Sequence, residues 1–235
     1  MNELEKTLVS ILTAEGAAMV GFADISDLPA RERRYMDSAV WIAVALDPRV
    51  VKDVVEGPTK LYEIEYRRVN DLLTNLARHA AKVVRGFGFE AHVRLPTDED
   101  VDWIDLTTPL PHKTVATRAG VGWIGKCGLL VTEEYGSAIR MTVVLTDASF
   151  SWSQPVGASL CGDCDECVRL CPAGAVTGED WIKGMEREEY YDAHACHEHI
   201  LGLTRERGLS AKICGICIAV CPYTIEYVQR ALGTR

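Results

Sequence analysis

Nine cysteines are present, and eight of them fall between Cys161 and Cys221. Cys161-Gly-Asp-Cys164-Asp-Glu-Cys167-Val-Arg-Leu-Cys171-Pro172 has the C-x2-C-x2-C-x3-C-P spacing that wraps three corners of a cubane cluster and sends its fourth thiolate to a second cluster. The rhythm returns as Cys214-x2-Cys217-x3-Cys221-Pro222, one cysteine short. The exchange rule completes Cys161, Cys164 and Cys167 with Cys221, and gives Cys171 to Cys214 and Cys217. Cys196 is the remaining cysteine of the region and takes the vacant place. Eight thiolates then serve two four-iron clusters. A zinc site also uses C-x2-C pairs, but it does not explain the complete four-cysteine run before proline. His194, His197 and His199 flank Cys196 and read as solvated neighbours of a cluster loop.

The rest of the chain fits a cytoplasmic protein. The N-terminus MNELEKTLVS has no basic-then-apolar leader. The longest apolar runs, such as Ala39 to Leu46, fall short of the roughly 18 residues of a membrane span. Cysteines in metal-ligand spacing without an export signal favour ligation over disulfides. A formal charge of −9 and a pI near 5.2 argue against a broad nucleic-acid footprint.

The elements that must position these thiolates follow from periodicity. Leu4, Leu8, Ile11 and Leu12 predict a helix over 3–15, with Asn2 and Glu5 as a capping box. Strands are predicted at 19–25 and 39–46, the second buried. Tyr62, Tyr66, Val69, Leu73, Leu76, Ala80 and Val83 draw one stripe on a helix over 59–85, which Gly86 and Gly88 end. Alternation from Phe89 to Leu95 predicts a half-buried strand. Segments 128–132 and 139–146 read as a hairpin around Glu133-Glu-Tyr-Gly-Ser137. The turn-rich stretch 148–160 then divides an α/β domain, 1–152, from a cysteine module, 153–235.

Gly120-Val-Gly-Trp-Ile-Gly125-Lys126-Cys127 nearly matches a phosphate loop. Phosphate loops need a strand before and a helix after, and here a helix over 113–119 precedes and a strand follows. Cys127 also lacks the hard hydroxyl that magnesium takes, and it reads as a small buried thiol. Arg118 and Lys126 suit either an anionic cofactor edge or ion pairs.

The stretch PHKTVATRAGVGWIGKCGLLVTEEYGS, the later Thr146-Asp147 and the cluster spacing together resemble the epoxyqueuosine reductases, which are related to reductive dehalogenases. The resemblance is specific from Asp105 to Pro222. It implies a nitroreductase-like α/β domain of mixed sheet that holds cobalamin, followed by a bacterial ferredoxin-like double-cluster module. The clusters would pass electrons to the corrinoid, which reduces a small molecule or a modified nucleoside. The implied cofactor-binding positions are Arg118, Gly122 and Lys126, and the implied proton donor is Asp105. One extra residue before Gly120 makes Asp102 its substitute. The implied electron source is a low-potential donor of ferredoxin or flavodoxin type. The family pattern commonly has His-Thr where Cys127-Gly128 stands. Asp192-Ala-His194-Ala-Cys-His197 misses the D-x-H-x-x-G corrinoid motif by its last residue, so a protein histidine ligand to cobalt is not expected. Family members continue into a helical region, whereas this chain stops fourteen residues after Cys221; with the acidic total, that makes tight tRNA binding unexpected. The other readings are a two-cluster electron carrier and a reductase that services corrinoid for a partner enzyme.

Overall fold

The computed structural model describes residues 1–97 and 100–234, so Asp98 and Glu99 of the acidic stretch before Asp105 lie outside the described residues. In chain order the elements are α1 (Glu3–Ala14), β1 (Met19–Asp24), β2 (Ser38–Ala45), α2 (Pro48–Val51) and α3 (Lys60–Gly86). Then come β3 (Ala91–Arg94), α4 (His112–Arg118), β4 (Trp123–Ile124), β5 (Leu130–Val131) and β6 (Ile139–Thr146). Five helices finish the chain: α5 (Glu166–Arg169), α6 (Arg187–Tyr190), α7 (Ala193–Glu206), α8 (Ile216–Ala219) and α9 (Pro222–Leu232).

The chain forms two compact units. The first comprises 1–45, 69–121 and 140–156; the second comprises 46–68, 122–139 and 157–235. The final passage from one to the other, at Val156, falls inside the turn-rich stretch that the sequence marks as a boundary. Two earlier segments also belong to the cysteine-bearing unit, because their residues pack there: Tyr227 donates to the Leu46 carbonyl at 2.8 Å, and Ser137 N–H donates to Thr224 Oγ1 at 3.1 Å.

In the first unit a four-stranded sheet runs in the order β1-β2-β6-β3. β1 pairs antiparallel with β2, from Met19–Ala43 to Asp24–Ser38, and β3 pairs antiparallel with β6, from Ala91–Thr146 to Arg94–Val143. The predicted hairpin is thus replaced. β6 lies beside β2 and β3, while Leu130–Val131 pairs with Trp123–Ile124 in a separate two-stranded ribbon. The turn survives as a Thr132–Gly136 bridge, but the long apolar β6 buries more surface in the middle of the sheet than at a ribbon. β2 is buried along both faces, as its run of Ala, Val, Trp and Ile requires.

α1 begins with the expected capping box, in which the Asn2 side chain accepts from Glu5 N–H. The Glu5 carboxylate also takes Ser151 N–H, which fixes the last loop of the unit against the first helix. Along α3, Val69, Leu73, Leu76, Ala77, Ala80, Ala81 and Val84 are buried. A fully buried Leu side chain there contributes about 1.5–3 kcal/mol.

The first nine residues of α3 belong to the second unit and carry a buried acid that periodicity does not reveal. Glu63 is 1% exposed; its carboxylate accepts from Ser210 N–H at 2.8 Å, Ser210 O–H at 2.6 Å and Ala211 N–H at 2.8 Å, and it pairs with Lys60 and Arg67. Lys60 first, then the Ser210 hydroxyl and amide, hold this carboxyl well below the ordinary glutamate value. Folded Glu63 therefore binds fewer protons than unfolded Glu63. Its contribution is complete above the ordinary value of 4.5 and is lost as pH falls from there towards the folded-state value. Glu63→Gln is expected to lower the melting temperature of the metal-free chain at neutral pH. The gap between variant and parent should narrow below pH 4.5. A gap that does not change with pH would show that the carboxylate charge is immaterial.

Candidate metal centre

The second unit gathers the thiols. Cys161, Cys164, Cys167 and Cys221 line one cavity together with Cys217, Gly125, Val131 and Pro222. Gly125 is shaped for it: a Cβ there would stand 2.8 Å from Val131 Cγ2 and 3.5 Å from Cys161 Sγ. Cys221 is the residue before α9 and receives the N–H groups of Tyr223 and Thr224, at a helix end that favours negative charge. Burial pushes its thiol up, and the neighbouring Cys161 and Cys164 add to the rise.

Cys171, Cys196 and Cys214 interact electrostatically with one another in the same unit. Burial raises Cys196 and Cys214. Cys196 lies in the first turn of α7, whose Asp192 cap accepts Ala195 N–H at 2.9 Å. Ala175 N–H points to Cys171 Sγ at 3.4 Å, and Ile216 N–H, in the first turn of α8, points to Cys214. Cys217 is on α8 itself. Amide donors of this kind neutralise thiolate charge and set the potential of a bound cluster.

These donors fit cubane clusters. Among the described residues no three His, Cys, Asp or Glu side chains converge on one ion. A zinc tetrahedron would hold its sulfurs about 4 Å apart, since each lies about 2.3 Å from the metal. A cluster instead takes one thiolate on each of four separated irons. Without iron the buried thiols stay protonated, so cluster assembly must release protons.

The other expected site residues lie as follows. Lys126 is buried, its Nζ donating to the Gly162 carbonyl at 2.7 Å and standing 4.0 Å from Asp180. Gly162 lies between Cys161 and Cys164, so this lysine clamps the first cysteine loop and sets a positive charge near Cys167. At Gly122 a Cβ would come within 2.3 Å of the Val131 carbonyl, so the glycine serves the close β4–β5 contact. Arg118, in the first unit, pairs with Asp27 through Nε at 3.1 Å and Nη2 at 3.2 Å. The structure engages Arg118, Gly122 and Lys126 in internal contacts.

Asp105 is exposed, with Trp103 and Ile104 beside it 60% and 83% exposed. The partial burial expected from its apolar neighbours is not present, because Asp102 and Thr107 close the loop with mutual N–H···O bonds of 2.9 and 3.2 Å and turn its tip outward. Asp102 Oδ1 accepts from Ile104 and Asp105 N–H at 2.8 and 3.2 Å. Asp102, but not Asp105, lines an open cavity of about 540 Å³ with Arg31, Glu32, Asp100 and Thr107. The histidines differ among themselves: His194 is exposed, while His197 and His199 are half-buried on α7. Sequence reasoning treated Cys127 as an inert buried thiol, yet it lines the same cavity as the cluster cysteines. Its one signal was adjacency to Lys126.

Comparison with known proteins agrees with this chemistry. Residues 160–224 match the 4Fe-4S double cluster binding domain family. The epoxyqueuosine reductase of Listeria monocytogenes serovar 1/2a is 33% identical over 142 residues, covering 55% of this chain and 34% of that protein. A crystal structure of epoxyqueuosine reductase with a tRNA-Tyr epoxyqueuosine-modified stem loop superposes with a TM-score of 0.65 at 18% identity, covering 95% of this chain and 66% of the other. A reductive dehalogenase structure described as suggesting a mechanism for B12-dependent dehalogenation superposes at 0.68 with 19% identity, covering 97% and 33%. The chain spans about a third of the length of the Listeria relative. No helix among the described residues is long and apolar enough to cross a membrane. A mixed α/β fold, shared with these structures, thus carries two groups of thiols; the chain is similar in sequence to the epoxyqueuosine reductases over about half its length, and residues 160–224 match the double 4Fe-4S cluster binding domain.

Proposed function

We propose that the protein is an iron–sulfur reductase of epoxyqueuosine reductase type. Cys161, Cys164, Cys167 and Cys221 hold one [4Fe-4S] cluster, and Cys171, Cys196, Cys214 and Cys217 hold the other. The observation that carries the reading is the meeting of Cys171, Cys196 and Cys214, three thiols drawn from three separate segments. The clusters supply single electrons at low potential, delivered by a ferredoxin- or flavodoxin-type donor in the cytoplasm. Lys126 anchors the first cysteine loop, and the amides before α8 and α9 stabilise thiolate charge. Asp105 is proposed as the proton donor. Asp102 is already spent on two backbone N–H groups.

Cobalamin belongs to the proposal through the B12-dependent dehalogenase of the same fold. Arg118, Gly122 and Lys126 have internal partners, so the proposal assigns the corrinoid no contact from them and routes no step through it. A modified tRNA stem loop is the proposed substrate class, since a reductase of this fold holds one. The proposal thereby departs from the expectation of weak tRNA binding. Net charge is a poor guide here, because phosphate contacts depend on a local basic patch rather than on the total.

The test is anaerobic incubation of the cluster-loaded protein with a low-potential donor, cobalamin and an epoxyqueuosine-containing stem loop. Loss of the epoxide and a change in the visible corrinoid spectrum are expected. The electron-carrier reading is favoured by the solvent exposure of Asp105 and by the internal partners of Arg118, Gly122 and Lys126. Clusters that accept and pass on electrons, with no corrinoid spectral change and no turnover, would select it.

A further inference from the structure

The ninth cysteine stands where the two sets of thiols meet. Cys127 is 5% exposed and lines the cavity that also holds Cys161, Cys164, Cys167, Cys217 and Cys221. Its thiol shares that lining with the thiols of Cys167 and Cys217, close enough to interact electrostatically with both. These two occupy the same place in the two motifs, four residues before the Cys-Pro pair of each, and they ride on the short helices α5 and α8, which pack on one another. Gly128 fixes the segment from below. At its φ of +73° a Cβ would stand 3.0 Å from the ring of Tyr191, and the Tyr191 hydroxyl in turn hydrogen-bonds Cys196.

We propose that Cys127 is a positioning residue that links the two clusters, its S–H donating to a ligating sulfur and its side chain bridging Cys167 to Cys217. This rests on the ligand reading above, in which eight thiolates satisfy both clusters and Cys127 is surplus. A thiol is a weak donor, but a hydrogen bond to a cluster sulfur withdraws negative charge and favours the reduced cluster. The same thiol fills the gap between one ligand of each cluster with a polarisable atom. One electron can then leave the reduced cluster and enter the oxidised one with no proton transferred.

The experiment is a redox titration, followed by paramagnetic resonance, of the fully cluster-loaded Cys127→Ala and Cys127→Ser proteins beside the parent. Cys127→Ala should retain the parent's iron content. Its midpoint potential should fall for at least one cluster, and the magnetic interaction between the reduced clusters should weaken. Cys127→Ser carries a stronger donor and should lie above the parent. Unchanged potentials and unchanged interaction in Cys127→Ala would overturn the proposal. So would loss of a cluster, which would make Cys127 a ligand. Should Cys127→Ala fail to fold, a Cys127→Ser protein of full iron content with potentials above the parent's supports the link, and one with potentials at or below the parent's overturns it. Cys196→Ala separates the two ideas: full iron content there sinks the ligand reading itself, whatever Cys127 does.

Discussion

Cys196→Ala should lose or alter one cluster and leave the other intact. Iron content would fall from about eight to about four per chain, the largest change expected of any single substitution. The physical reason is the closed count of ligands. With Cys171, Cys214 and Cys217 alone, the second cluster has an open iron that water or an external thiol must fill. Cys161, Cys164, Cys167 and Cys221 do not share that corner and keep their own signal. Cys196 is not replaced by a nearby histidine in this scheme, although His197 and His199 are on the same helix. Iron analysis with paramagnetic resonance reads both halves of the result. Two unchanged clusters would show that the eighth ligand is another group, with Cys127 the first to examine.

Asp105→Asn should reduce turnover by about 10²-fold or more while both clusters and corrinoid binding persist. Reduction of a carbon–oxygen bond needs a proton as well as electrons, and thiolate-bound iron provides none. A carboxylic acid gives up a proton near neutral pH only where water is excluded or a negative charge lies close by. In the chain alone Asp105 faces solvent, so the covering must come from bound substrate over the exposed tip Trp103-Ile104. Leu106, at φ +53°, holds the tip in a left-handed bend that a β-bridge between Asp102 and Thr107 enforces. Asp102→Asn keeps one carbonyl oxygen for the Ile104 and Asp105 amides and should leave turnover near that of the parent. The reverse pattern, with turnover intact in Asp105→Asn and abolished in Asp102→Asn, would assign the acid to Asp102.

Much of this protein was legible in the order of its residues. Periodicity located α1, β1, β2 and α3 to within one or two residues of where they lie, because their apolar positions repeat at 3.6 or run continuously through a buried strand. Failure came where a segment's partner mattered. Leu130–Val131 and β6 look like a hairpin locally, but β6 lies between β2 and β3, both far from it in sequence, and leaves Leu130–Val131 to pair with Trp123–Ile124. Apolar neighbours suggested cover for Asp105, yet a turn closed by backbone bonds points Trp103 and Ile104 outward. Glu63 sits on a helix face that periodicity reads as polar surface, and only the return of residues 210–211 buries it.

The sequence alone determined the cluster chemistry, because cubane ligation depends on short loop lengths between cysteines, and these are covalent facts. It also determined the family likeness through the run from Arg118 to Lys126. Tertiary structure alone decided what those residues touch. It placed Lys126 on the Gly162 carbonyl, set the Val131 carbonyl against Gly122, and paired Arg118 with Asp27. It also brought Cys127 against Cys167 and Cys217, 40 and 90 residues further along the chain (167 − 127 and 217 − 127). Spacing along a chain fixes which thiols can share a cluster, whereas burial and hydrogen bonding between distant segments fix which charges and thiols remain to serve it.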